Sequence, residues 1–187
     1  MIKVKKNKSA RVCQGDIYKN IEHIEYVSEK NGIIEISKIE FPLIIVLTQD
    51  CDLQQDYRVR WSKKPPSNED KKLISVIVAP LYNEDHVYNG EHLTELGLRM
   101  RTINRSKTEG QFLKNNEIPR YHYLKFPMEI SIVNSLIDFK HYFTVNIEYL
   151  KKIRRTNYIC TLSELYRERT SQRFANYLAR IGLPDAN

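Results

Sequence analysis

The sequence contains few glycines, and this scarcity argues against several classes of enzyme. Only six glycines occur among the 187 residues, and none of them belongs to the glycine-rich loop that cradles the phosphates of a bound nucleotide. The serine-hydrolase motif G-x-S-x-G and the zinc-protease motif H-E-x-x-H are also missing. Nucleotide hydrolysis by a P-loop and hydrolysis by an activated serine are therefore disfavoured.

Cysteine is also rare, and the hydrophobic runs are short. The three cysteines are scattered without a C-x-x-C pair, so neither a disulfide framework nor a cysteine zinc site is expected. The longest apolar run extends from Leu43 to Leu47, whereas a membrane helix needs about 20 apolar residues. No apolar stretch of a secretory signal follows the N-terminal lysines. These features predict a cytoplasmic protein that does not enter a membrane.

Positive charge is concentrated at the two ends of the chain. The net charge is +7, yet residues 1–11 hold five basic and no acidic residues, and residues 151–187 hold eight basic and three acidic ones. The segment between them is therefore slightly acidic. We interpret residues 1–11 as a flexible basic arm and residues 12–187 as one domain, because the length suits a single domain.

The first half of the chain is predicted to form strands, since isoleucine and tyrosine are abundant and favour them. The predicted strands of this half cover residues 15–18, 21–27, 33–39, 41–48 and 73–81. Asn31 and Gly32 are typical of a tight turn between two of these strands, which makes a hairpin. Residues 54–72 are expected to be a polar loop. Residues 82–118 are interpreted as an insertion that contains a short helix.

The second half is predicted to contain further strands and one terminal helix. Strands are expected over residues 120–126, 137–145 and 157–160. Thr161 and Glu164 are spaced as a helix capping box, and Gly182 is typical of a helix end, so an amphipathic helix is predicted over residues 161–182. This order of elements favours a mainly β, α+β fold built on a small antiparallel barrel, with an open α+β sheet as the alternative.

Polar residues that directly follow the predicted strand over residues 41–48 form the first candidate site. Asp50 and Asp52 would share one side if the strand continued. Paired carboxylates could act as general base and acid, or bind a cation. Equally, they could form turns or cap backbone amides, with Cys51 as a buried small residue.

Two histidines and an arginine on the later strands form the second candidate site. If the strands pair with Phe126 opposite Ile137, His122 lies opposite His141, and Arg120 lies on the same face. Two histidines could then act on a phosphodiester as base and acid while the arginine holds the phosphate. Alternatively, the histidines could bind a metal with a carboxylate, or His141 could be a hydrogen-bonded core residue. The remaining histidines show no metal-ligand spacing, and we expect no metal and no cofactor.

Basic residues at both ends form a third, nucleic-acid-binding candidate. This set consists of Lys3, Lys5, Lys6, Lys8, Arg11, Lys151, Lys152, Arg154 and Arg155. Tyrosines lie near basic residues in the second half of the chain, and aromatic rings with cations suit unstacked nucleotides. RNA is therefore the expected partner, and the same charge would also attract DNA. The simpler interpretation is that these side chains only keep the protein soluble.

The segment Gln14-Gly15-Asp16-Ile17-Tyr18 is similar to the opening of the MazF/PemK-like toxins. Residues 41–48, with a proline at their second position, and residues 73–81, which contain Pro80, resemble the next two core strands of that family. The resemblance covers about the first 80 residues. It implies an SH3-like barrel, a homodimer and metal-independent cleavage of single-stranded RNA by a bacterial toxin.

The family's catalytic residues do not carry over to this sequence. The family has an arginine immediately before the strand proline, where this chain has Phe41, and a threonine or serine just past the next strand, where this chain has Pro80 and Leu81. An endoribonuclease of this kind would need its own catalytic groups, and the candidates are Asp50, Asp52, Arg120, His122 and His141. The alternative hypothesis is a non-catalytic module that binds nucleic acid or a protein such as a second copy or an antitoxin-like partner.

Overall fold

The computed structural model of the protein describes residues 1–62 and 68–180. These residues form a mixed α+β fold in which mostly antiparallel strands make a curled half-barrel sheet. The strands are β1 (Val4–Lys5), β2 (Asp16–Lys30), β3 (Ile33–Val46), β4 (Ser75–Asn83), β5 (Tyr121–Leu124), β6 (Ser135–Asp138), β7 (Phe143–Asn146) and β8 (Tyr158–Leu162). Their order in the sheet is β1-β8-β2-β3-β4-β6-β5, and β7 also pairs with β4.

The predicted hairpin is confirmed, and it is longer than expected. β2 and β3 pair from Ile17 opposite Ile45 out to Lys30 opposite Ile33. Asn31 and Gly32 both have positive φ angles, of 53° and 77°, which a two-residue turn of type I′ requires. The inner ends of the two strands are buried, but their outer halves form an exposed two-stranded ribbon.

The N-terminal segment belongs to the folded body, so the prediction of a flexible arm is wrong for its first residues. Val4 and Lys5 form β1, which pairs with Leu162 and Thr161 of β8. Ile2 is buried in the main hydrophobic core. Because apolar residues alternate with lysines here, the strand can bury one face while its lysines stay in solvent.

A helix occupies the first part of the segment predicted to be a polar loop. α1 extends over Asp50–Arg60 and buries Leu53 and Asp56. The carboxylate of Asp56 accepts a hydrogen bond from the backbone amide of Leu73 at 2.8 Å and pairs with Arg60 at 2.6 Å. These contacts attach a largely polar helix to the start of β4. The rest of the predicted loop includes residues 63–67, which lie outside the described residues.

The predicted insertion contains two short helices, α2 (Glu84–Asn89) and α3 (Thr108–Lys114), and a 3₁₀ turn at Thr94–Leu96. The strand predicted over residues 137–145 is interrupted by a second 3₁₀ turn at Phe139–His141. The side chain of Asp138 accepts a hydrogen bond from the backbone amide of Lys140 at 3.0 Å, which turns the chain at this point. The interruption separates β6 from β7.

Two further helices complete the described chain, α4 (Ile147–Asn157) and α5 (Glu164–Leu178). α5 confirms the predicted C-terminal helix but begins later than expected. Thr161 lies in β8 with its hydroxyl hydrogen-bonded to Asp16, and the residue before the helix is Ser163, so the predicted capping box is wrong. Gly182, the predicted helix end, lies outside the described residues. None of the described helices is long and apolar enough to cross a lipid bilayer.

Candidate active site

The five predicted catalytic residues do not come together in one site. Arg120 and His141 meet at a buried carboxylate, Asp138, whereas Asp50 lies in a different cluster near the start of α5. Tyr177, near the other end of α5, packs against Phe139, the neighbour of Asp138. Because a helix rises 1.5 Å per residue, the two clusters lie about 15 Å apart along α5.

Asp138 organises the first cluster, which consists of Tyr82, Arg120, Asp138 and His141. Its carboxylate is fully buried at the end of β6. Arg120 donates to both carboxylate oxygens, from Nε at 2.8 Å and from Nη2 at 2.5 Å. This two-point contact fixes the guanidinium and neutralises the buried charge. Arg120 is therefore held by a carboxylate and does not present the free positive charge that the sequence predicted for a phosphate.

His141 contacts Asp138 and Tyr82 with the same ring nitrogen. Its Nδ1 lies 3.2 Å from the Asp138 carboxylate and 3.3 Å from the Tyr82 hydroxyl. A carboxylate only accepts hydrogen bonds, so this contact favours the proton on Nδ1 and leaves Nε2 as the basic nitrogen of the ring. Burial lowers the pKa of His141, although Asp138 opposes that effect. The ring is therefore neutral at neutral pH.

His92 adds a second neutral imidazole to the same region. Its ring centroid lies 4.9 Å from that of Tyr82. Both of its ring nitrogens are buried, and neither forms a hydrogen bond of good geometry with a described residue, although the backbone of His86 lies near enough to raise the pKa of the ring. Burial lowers the pKa of His92, with Asp138 acting in the opposite direction and His141 lowering it further. Burial likewise raises the pKa of Tyr82, so its hydroxyl keeps its proton at neutral pH.

Tyr82 and His92 line a cavity of about 560 Å³, which we call the His92 cavity. β3 supplies one wall with Phe41 and Pro42, and β4 supplies another with Pro80 and Leu81. The segment between α2 and the 3₁₀ turn closes it with His92 and its neighbours. The lining is mainly apolar, which is typical of a ligand site. Its polar side chains include the imidazoles of His86 and His92, the phenol of Tyr82 and the carboxylates of Glu40, Glu91 and Glu95.

The second cluster, which consists of Arg11, Gln14, Asp50 and Arg167, resembles a structural clamp more than a catalytic pair. Arg11 donates to both Asp50 oxygens at 2.9 and 2.6 Å, and the backbone amide of Gln14 donates at 3.1 Å. Arg167 of α5 lies 3.5 Å from the same carboxylate. Burial raises the pKa of Asp50, but the bonds from Arg11 and Gln14 outweigh it, so this pKa is below its ordinary value. Asp52 is exposed in the first turn of α1 and lies apart from this clamp.

His122 lies in the interior, and the predicted register was wrong. It pairs with Ile137 on β6, which leaves His141 beyond the end of that strand. Its ring is 3% exposed and stacks on Phe139. Burial lowers the pKa of His122 to about 3, with smaller contributions from Arg173 and Arg169. His122 is therefore neutral at neutral pH and packs within the core.

The predicted nucleic-acid-binding residues separate into two groups. Some are engaged within the protein: Arg11 holds Asp50, Lys151 lies 3.5 Å from Asp56, and Arg154 is buried. Others form one surface, because β1 runs beside β8 and brings the N-terminal lysines to the end of α4. Lys8 donates to the backbone carbonyl of Arg154 at 3.4 Å, across 146 positions of sequence.

The residues that shape the cavity are not predicted from the sequence. His92 is one of the histidines without metal-ligand spacing, and the structure shows that it lines one cavity together with His86 of α2. Asp138 lies within the strand predicted over residues 137–145, which gives it no special role. No local signal marks either residue, since both act through contacts with distant segments.

Comparison of the sequence with protein-family models and with curated proteins finds no match. Among the residues that the structure describes, no three His, Cys, Asp or Glu side chains are grouped closely enough to hold a metal ion. The arrangement around Tyr82 therefore offers proton donors and acceptors beside an apolar cavity.

Proposed function

We propose that the protein is a toxin-like endoribonuclease that cleaves single-stranded RNA without a metal ion, in the cytoplasm and on an SH3-like barrel. The observation that carries this proposal is His92, a neutral imidazole in the wall of a 560 Å³ cavity, whose two ring nitrogens form no hydrogen bond of good geometry with residues 1–62 and 68–180. A neutral imidazole is the group that general-base chemistry at neutral pH requires. Tyr82 beside it supplies a proton donor that His141 holds in place.

The location of the cavity supports the same proposal. Phe41 stands where the resembling toxin family has its catalytic arginine, and Pro80 and Leu81 stand where it has its threonine or serine. All three line the His92 cavity. The active site would therefore lie at the same position in the fold as in that family, but its catalytic groups would come from the insertion, residues 82–118.

The proposed reaction uses two proton transfers. His92 removes the proton from a ribose 2′-hydroxyl, whose oxygen then attacks the adjacent phosphorus. The bond from phosphorus to the 5′-oxygen breaks, and the Tyr82 hydroxyl donates a proton to that leaving oxygen. The products are a 2′,3′-cyclic phosphate and a 5′-hydroxyl end. Proton return from His92 to Tyr82 through water restores the starting state.

The test is cleavage of an unstructured RNA by purified protein, with and without EDTA. We expect cleavage in both conditions, and a loss of at least 100-fold in the His92→Gln variant. His23→Gln is the matched control, because His23 lies on the hairpin against Phe143, outside the set of residues that line the cavity. Intact RNA in all reactions would refute the proposal.

A second candidate function is nucleic-acid binding without cleavage, favoured by the basic surface that β1 and α4 form. Lys6, Lys8, Lys152 and Arg155 come from both ends of the chain and lie on this part of the fold. Such a surface predicts RNA or DNA affinity that falls steeply with salt, because binding releases counterions from the phosphates. The variant Lys6→Gln/Lys8→Gln should weaken binding at low salt and reduce the salt slope by about two.

The exposed hairpin favours self-association as an additional property of either function. Its register places Ile24, Val27, Ile34 and Ile36 on one face, and each is more than half exposed. We propose that a second copy of the protein binds to this face. Residues 21–40 hold five acidic and two basic residues, whereas the whole chain carries +7, so an acidic hairpin can attract the basic remainder of another copy. Light scattering should show a dimer that Ile34→Lys converts to monomer; a monomeric parent protein would contradict this.

A further inference from the structure

A second cavity, of about 300 Å³, lies where the N-terminal residues, α3, β5 and α5 meet. We call it the Arg169 pocket. It shares no residue with the His92 cavity. Its charged lining residues are Lys114 from the end of α3, Lys125 just after β5 and Arg169 from α5, and none of the residues that line it is acidic.

These three cations are exposed, and their surroundings differ from those of several arginines of this protein. Arg11, Arg60 and Arg120 each lie within 3 Å of a carboxylate. In contrast, within the described part of the chain, Lys114, Lys125 and Arg169 form no ion pair. Three like charges around one cavity give it a positive potential, which favours an anion as its occupant.

The wall of the pocket adds a neutral polar group. His122 lines the pocket and bonds through Nε2 to the Thr170 hydroxyl at 3.1 Å. That hydroxyl already donates its only proton to the backbone carbonyl of Tyr166 at 2.8 Å. The histidine must therefore donate from Nε2. Its Nδ1, which has no hydrogen-bond partner among the described residues, carries a lone pair. His122 adds no positive charge, so the electrostatic attraction comes from the three cations.

We propose that the Arg169 pocket binds a phosphate monoester, of the kind carried by a free nucleotide or by the 5′ end of an RNA. A monoester carries about −1.5 to −2 charges at neutral pH and three acceptor oxygens, which matches three converging cations. A backbone diester carries one charge, so it would neutralise less of the positive charge around this pocket. The three cations without ion pairs therefore favour a terminal phosphate. This inference is independent of cleavage at the His92 cavity.

The test compares binding of two RNAs that differ only at the 5′ end. Both are 3′-labelled and fully 2′-O-methylated, so that neither can be cleaved and the nuclease proposal does not affect the result. Fluorescence anisotropy should show at least tenfold tighter binding of the 5′-phosphorylated RNA than of the 5′-hydroxyl RNA. The variant Lys125→Gln/Arg169→Gln should abolish this difference. The control Arg58→Gln/Lys71→Gln, which changes one exposed residue of α1 and one exposed residue between α1 and β4, should retain it.

Uridine monophosphate distinguishes the two sources of the phosphate. If it displaces the phosphorylated RNA from the parent protein, a free nucleotide is sufficient; if it does not, the pocket requires an RNA end. Equal binding of the two RNAs together with no binding of uridine monophosphate would overturn the proposal. A preference for the phosphorylated RNA that persists in the Lys125→Gln/Arg169→Gln variant would also overturn it, because the phosphate would then bind elsewhere.

Discussion

Stability at mildly acidic pH should depend strongly on His122. The histidine is neutral and buried in the folded protein, with a pKa of about 3, whereas an unfolded chain protonates histidine near pH 6.5. Protons therefore bind to the unfolded state first as the pH falls. The stabilising effect of the neutral ring is complete above about pH 6.5 and is lost progressively between pH 6.5 and pH 3.

The size of this effect follows from the difference between the two pKa values. Each pH unit inside this window costs about 1.4 kcal/mol. Between pH 7 and pH 5, His122 alone should lower the free energy of unfolding by about 2 kcal/mol. For a domain of this size, such a loss corresponds to a fall in Tm of about 4–8 °C.

The assay is urea unfolding at pH 7 and at pH 5 for the parent protein and for His122→Gln. Glutamine keeps a side-chain amide that can donate to the Thr170 hydroxyl, but it cannot be protonated. The variant should lose about 2 kcal/mol less than the parent between the two pH values. His23→Gln, at a half-buried histidine on the hairpin, controls for the loss of an imidazole elsewhere in the protein. Equal pH dependence in the parent and His122→Gln would refute the reasoning.

Two further predictions concern other parts of the structure. Asp138→Asn should lower the free energy of unfolding by about 2–4 kcal/mol, because it leaves Arg120 without its buried partner. The control Asp52→Asn changes an exposed residue and should alter this free energy by less than about 0.5 kcal/mol. Similar values for both variants would contradict the central role of Asp138. Gly90→Ala should cost more than Gly97→Ala, since both glycines have positive φ but only a methyl group at Gly90 would collide with the Met100 carbonyl. Gly97→Ala should cost about 1–2 kcal/mol, and chemical denaturation compares the two.

Local chemistry made the hairpin predictable from the sequence. Asn31 and Gly32 are residues that tolerate the positive φ angles of the turn. The alternation of apolar and polar residues on either side of the turn predicts the two strands. α1 could not be predicted in this way, because it buries only Leu53 and Asp56. Its attachment depends on the Asp56 carboxylate, which accepts a hydrogen bond from the backbone amide of Leu73 just before β4. No pattern within the helix reveals this contact.

The candidate site was harder to predict than the hairpin, because its residues are brought together by contacts between distant segments of the chain. Arg120 and His141 were identified, but the carboxylate that joins them was not, because Asp138 ends a strand that was expected to continue. Asp50 was correctly placed after a buried strand, yet its partner Arg11 comes from a segment expected to be a flexible arm. His92 and Tyr82 meet only through the fold of the insertion, so the cavity could not be inferred from spacing.

Nuclease chemistry at the His92 cavity is tested most directly by RNA cleavage with the parent protein and with His92→Gln under identical conditions with EDTA. We expect a product with a 2′,3′-cyclic phosphate from the parent protein and from His23→Gln, and at least 100-fold slower cleavage by His92→Gln. Cleavage by His92→Gln at the parent rate would contradict the assignment of the His92 cavity. Failure of the parent protein to cleave RNA would contradict the nuclease function itself.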